Sequence, residues 1–156
     1  YAGTLLPGIR EYTVTPGEKT TTISGKGKAG LKQEENYYFF YLPVCYKGIT
    51  GKSYAYYNTS RSKNLYLPAS VDENYSYDIQ LPENLTLCTP IQEKKIDNPI
   101  GSFKITLTSE GSSLHIELAL QIKKQLITPA EYPAFRSLIT EWTDRTRKPI
   151  LFKTVQ

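Results

Sequence analysis

Residues 101–122 read GSFKITLTSEGSSLHIELALQI, and this stretch decides the fold. Phe103, Ile105 and Leu107 alternate with Lys104, Thr106 and Thr108. Leu114, Ile116, Leu118, Leu120 and Ile122 then alternate with His115, Glu117, Ala119 and Gln121. Between the runs, Glu110-Gly111-Ser112 supplies a tight turn. Two runs of period 2 across a glycine turn predict a β-hairpin, with both apolar faces on one core.

The period changes downstream. Thr128 stands as a helix cap, with Pro129 at the first helical position and Glu131 three residues after the cap. Tyr132, Phe135, Leu138, Ile139 and Trp142 follow at helical spacing. This predicts one amphipathic helix over about 128–145, with Trp142 as a core anchor. Arg145, Arg147 and Lys148 suit its negative end. Ile150-Leu151-Phe152 reads as a last short strand.

Upstream, Asn74 to Leu81 alternates strictly. Tyr75, Tyr77, Ile79 and Leu81 share one face, and Ser76, Asp78 and Gln80 the other. Pro82-Glu83-Asn84 turns the chain, and Leu85 and Leu87 begin a short strand that Pro90 interrupts. Residues 37–42 are the most β-prone run and predict a covered, central strand limited by Pro43. Gly48 to Gly51 reads as a turn, Ser53 to Asn58 as a further strand, and Arg61 to Asn64 as a loop before Leu65-Tyr66-Leu67-Pro68. Residues 1–36 are the hardest to place. Tyr12 to Thr15 and Thr20 to Ser24 suit a hairpin about Pro16-Gly17, and Gly25 to Gln33 a basic loop. The expected architecture is mainly β: a single β-sandwich domain over 1–156, built of short antiparallel strands with one C-terminal helix.

The 156 residues carry 19 basic and 15 acidic side chains, a net charge of +4. That is too mild to point to nucleic acid. No apolar run is long enough for a transmembrane helix, so no membrane insertion is expected. The chain has no Met and reads as a processed product or an excised domain. Two Cys and one His are too few for a structural zinc site, and no phosphate-binding glycine loop occurs. Cys45 and Cys88 suit either a disulfide or two buried thiols. Cys45 or Cys88 with His115 is formally possible as a nucleophilic pair, but the structural reading of the cysteines is the one taken here. No catalytic, cofactor-binding or metal-binding residue is therefore expected.

One order of motifs extends this reading. Residues 61–68 (RSKNLYLP), 75–84 (YSYDIQLPEN) and Gly101-Ser102-Phe103 come first. The hairpin ending in Lys123-Lys124 follows, then residues 127–136 (ITPAEYPAFR) and 149–153 (PILFK). This order resembles the C-terminal domain of unknown function that follows a transglutaminase-like core in large exported bacterial proteins. Residues 37–43 are similar to that family's strand ending in Leu-Pro, so the resemblance spans 37–156. It implies an accessory β-sandwich without chemistry of its own. It also implies a periplasmic, cell-envelope or extracellular location, and an upstream transglutaminase-like core or another protein domain as partner.

Thirteen of the residues are Tyr, against five Phe and one Trp. Tyr37, Tyr38, Tyr41, Tyr54, Tyr56 and Tyr57 offer an aromatic platform for a partner chain or a glycan, because Tyr keeps a wet polar tip on an apolar ring. Tyr54, Tyr56 and Tyr57 are the residues chosen as the possible binding surface. This makes a carbohydrate-binding module the alternative function. The other reading of the same rings is inter-sheet packing. His115 and Glu117 share one strand face, either as a titrating pair or as a solvated surface. Lys26, Lys28 and Lys32 suit an anionic contact or plain solvation.

Overall fold

The computed structural model describes residues 9–18, 20–28, 30–43, 48–49, 60–90, 92–147 and 149–154, with backbone alone at 9–12 and 145–147. Strands β1 (Ile9–Pro16) and β2 (Thr21–Gly27) form a hairpin. Then come β3 (Lys32–Glu34), β4 (Tyr37–Phe40), β5 (Leu65–Tyr66), β6 (Val71–Gln80) and β7 (Leu85–Leu87). They are followed by β8 (Gln92–Asn98), β9 (Gly101–Glu110), β10 (Ser113–Ile122), β11 (Leu126–Ile127), helix α1 (Tyr132–Arg147) and β12 (Ile150–Thr154).

Two four-stranded antiparallel sheets, ordered β6-β10-β9-β8 and β3-β4-β12-β7, make up most of the structure. They are not closed into a barrel, and the mainly β, sandwich-like expectation holds. The β9–β10 hairpin forms in the expected register, with Ser113 opposite Glu110 and Leu118 opposite Ile105. Its two-residue loop places Gly111 at φ +56°, a conformation that favours glycine. Phe103, Ile105, Leu107 and the five alternating apolar residues of β10 are all buried. Trp142 is fully buried, with Phe103 meeting its ring edge-on at 6.4 Å and Tyr75 tilted against it at 5.7 Å. Helix α1 thus lies under β9 and β6. Phe40 of β4 stacks on Phe152 of β12 at 5.9 Å within the same core.

Several boundaries differ from expectation. The helix begins at Tyr132 rather than near 128. Thr128 and Glu131 do make the reciprocal cap. The Thr128 backbone N–H donates to Oε2 of Glu131 (3.0 Å), and the Glu131 N–H donates to Oγ1 of Thr128 (3.4 Å). They close a turn over 129–131, and the helix proper starts after it. The expected basic loop at 25–33 is partly strand, since β2 runs on to Gly27 and β3 starts at Lys32. Strand β4 is central, between β3 and β12, with Phe40 buried and Tyr37 exposed; most of the segment that follows it lies outside the described residues. The strand expected over 53–58 lies outside the described residues.

Strand β8 is an addition. Asn98 makes its turn into β9, because its Oδ1 accepts the N–H groups of Ile100 (3.0 Å) and Gly101 (3.3 Å). The Nδ2 of the same residue donates to the Ala134 carbonyl at 3.1 Å, tying this turn to the first turn of α1.

Candidate functional site

Alternation along β4 splits its aromatics between two faces. Tyr38 and Phe40 turn inward, where Tyr38 packs against the core. Tyr37 and Tyr41 stay 45% and 49% exposed on the opposite face. Phe39 lies between them in sequence and meets Tyr41 edge-on at 6.2 Å. On β12, Leu151 is the register partner of Phe39. On β3, Lys32 is its other partner, and its ammonium sits 5.9 Å from the centre of the Tyr41 ring. Glu34, Glu35, Tyr37, Phe39 and Leu151 line a shallow hollow of about 340 Å³. Glu35 holds φ +53° at the β3–β4 turn, and the Gln33 side chain donates to its carbonyl.

The expected Tyr platform is therefore divided. Tyr37 and Tyr41 face solvent and Tyr38 does not, while Tyr54, Tyr56 and Tyr57 lie outside the described residues. Other tyrosines serve the core. Tyr75 and Tyr77 stack in parallel at 6.3 Å on the inner face of β6. The Tyr77 hydroxyl donates to the Pro43 carbonyl, and burial pushes its pKa far up. The Tyr75 hydroxyl donates to Glu73 (3.0 Å), whose other carboxylate oxygen accepts the Ile49 N–H (2.5 Å). These contacts fasten the segment after β4 across β6. Period 2 foretold the inward side of Tyr75 and Tyr77, but not what they hold.

A polar row crosses the outer face of the other sheet. His115 Nδ1 lies 2.7 Å from Asp78 Oδ1, and its Nε2 lies 3.5 Å from Glu117 Oε1. Lys104 reaches the second oxygen of Glu117 at 3.2 Å. The hydrogen bond to Asp78, followed by that to Glu117, raises the His115 pKa. Lys104 first and His115 second lower that of Glu117. Both groups are open to water, so the row is a solvated charge ladder. Aspartate 78 was the missing member in the sequence reading, and cross-strand register from β6 supplies it.

Cys88 is a half-buried free thiol whose Sγ faces the Thr86 carbonyl at 3.9 Å. Its backbone N–H donates to Leu151 of β12, which places it in the sheet that does not carry His115. Cys45 lies outside the described residues. No cluster of three or more His, Cys, Asp or Glu among the described residues is arranged to hold a metal ion.

A family model described as a domain of unknown function with a solved structure (DUF3858) matches residues 36–152. The chain belongs to the DUF3858 family. Among solved structures, this DUF3858 domain is similar to a crystal structure from Parabacteroides distasonis ATCC 8503, described as a "putative protease". Identity is 31% and the TM-score is 0.67, over 78% of this chain and 24% of that one. The chain thus spans about a quarter of the length of the protein it resembles. No curated protein matches it.

Proposed function

We propose that this DUF3858 chain is a non-catalytic accessory β-sandwich of a larger exported protein with a transglutaminase-like core, and that it contacts or supports a neighbouring domain. The observation that carries this reading is the similarity to a protein of which the chain covers 24%, described as a "putative protease". The side chains add support. The imidazole of His115 is engaged by Asp78 and Glu117. On this reading the domain works in the periplasm, at the cell envelope or outside the cell. Its test uses the full-length polypeptide. Cys88→Ala and His115→Gln are expected to leave peptide hydrolysis or acyl transfer within about twofold of the parent rate, and cross-links are expected between the sandwich and a neighbouring domain. A hundredfold loss, about 2.7 kcal/mol of transition-state stabilisation, in either variant would place chemistry in the domain itself.

A second reading is glycan binding, favoured by the exposed rings of Tyr37 and Tyr41 on one face. Aromatic faces of this kind stack on apolar sugar faces while the hydroxyl stays wet. Retention of the chain on an immobilised polysaccharide, lost in the Tyr37→Ala/Tyr41→Ala variant, would support it. Equal elution of both proteins would remove it.

A further inference from the structure

We propose that the hollow beside Tyr37 holds the free amino group of an amino sugar, so that the glycan of the second reading is a cationic one. The inference rests on that glycan-binding reading and names its ligand class.

Two kinds of side chain meet in the hollow. Tyr37, Phe39 and Leu151 line it with apolar surface, and Glu34 and Glu35 add two carboxylates. Strand register brings them together. Glu34 is the partner of Tyr37 across β3 and β4, and Phe39 is the partner of Leu151 across β4 and β12. Both glutamates are exposed, and neither makes an ion pair among the described residues. The lysines of this face stand apart from the hollow. Lys32 turns its ammonium to the Tyr41 ring, at the end of the aromatic row away from Tyr37. Lys153, the β12 partner of Tyr37, does not line the hollow. Glu35 holds a φ of +53°, where Gly or Asn sits at less cost, yet the turn carries a carboxylate there.

Rings and carboxylates together select a positive charge. The face of an aromatic ring attracts a cation, and a carboxylate does so at longer reach. An ammonium group gains from both, and an anion gains from neither. A sugar with hydroxyls alone stacks on the rings but makes no use of the two charges. Shape then separates an amino sugar from a lysine side chain. The hollow is shallow and, at about 340 Å³, near the small end of ligand sites. A flat sugar ring laid across Tyr37 covers such a surface, whereas a thin lysine stem buries little of itself without a narrow slot.

Calorimetry on the 156-residue chain tests the proposal, with a glucosamine tetramer and an N-acetylglucosamine tetramer as probes. At about pH 6 the first carries ammonium groups, while the second carries neutral amides. The ammonium tetramer is expected to bind tighter by about tenfold or more. Glu34→Gln with Glu35→Asn is expected to remove that difference. Asn suits the left-handed turn, so the fold is kept and a lost preference is not lost folding. Glu83→Gln with Glu110→Gln, at exposed carboxylates elsewhere, is expected to keep the difference. An equal loss in that control pair overturns the proposal in favour of diffuse charge. Equal binding of the two tetramers overturns it and leaves the glycan reading standing. Tighter binding of tetralysine overturns it in favour of a peptide amine. If neither tetramer binds, the proposal and the glycan reading fall together.

Discussion

One side-chain amide, that of Asn98, serves two backbone groups of a turn and one of a helix. Replacing it by Ala strands those groups, at a cost of about 1–3 kcal/mol. Asn98→Asp keeps the acceptor and loses only the donor to Ala134, so its urea midpoint is expected to fall between those of the parent and the Ala variant. Two glycines separate conformational from steric causes. At Gly111 an added Cβ meets open space, so Gly111→Ala carries only the backbone penalty at φ +56°, about 1–2 kcal/mol. At Gly101 an added Cβ would run into the Gln121 carbonyl of β10, and the backbone must shift, so Gly101→Ala is expected to be the more damaging. The charge ladder makes a prediction about pH. Because Asp78 and Glu117 raise the His115 pKa above its ordinary 6.5, the contribution of the ladder is complete below pH 6.5. It is lost as pH rises through the folded value. An NMR titration is expected to find the His115 midpoint above 6.5 and to find it lowered by Asp78→Asn; an unmoved midpoint would dismiss the pair.

Helix α1 depends on its cap and its buried stripe. Thr128→Ala removes the hydroxyl at the cap and is expected to cost about 1 kcal/mol. Lys124 first, then the Thr128 backbone and hydroxyl, hold the Glu131 carboxyl at about 2. What this carboxylate contributes is present above pH 4.5 and disappears as pH falls toward 2. Glu131→Gln is expected to flatten the acid limb of the helical circular-dichroism curve over that window. Trp142→Ala empties the contact between helix and sheet and is expected to cost about 3–5 kcal/mol in chemical denaturation. These elements were legible because each announces itself locally: a cap and a 3.6 period for α1, strict alternation about Gly111 for β9 and β10. Strand β8 was not. Its inward positions include Lys94, whose ammonium reaches Glu141 of the helix at 2.5 Å, so the face that packs does not read as apolar. The divided Tyr platform was half legible. Alternation assigns Tyr37 and Tyr41 to one face and Tyr38 to the other, but which face is covered depends on strands far away in sequence. Asp78 beside His115 was hidden for the same reason, since 37 positions separate them.

At the scale of the molecule, the core formed by the described residues lies within residues 40–152. Removing residues 1–30 is therefore expected to leave the unfolding free energy of the rest, from urea denaturation, within about 0.5 kcal/mol of the parent. A larger loss would make the β1–β2 hairpin part of the sandwich. The exposed edge β8 carries Glu93, Lys95 and Asp97 on its outward side, a pattern that discourages edge-to-edge pairing. Strand β12 has another consequence, which belongs to synthesis. It is the last of the described strands in sequence, yet it sits between β4 and β7. A nascent chain that has emerged only as far as the helix has all four strands of one sheet, but the other sheet is split. The Phe40 ring lacks its stacking partner, and β4 and β7 each present a bare edge. Such an intermediate offers what chaperones grip and proteases cut. It ends when Ile150 to Thr154 pair with β4 on one side and β7 on the other.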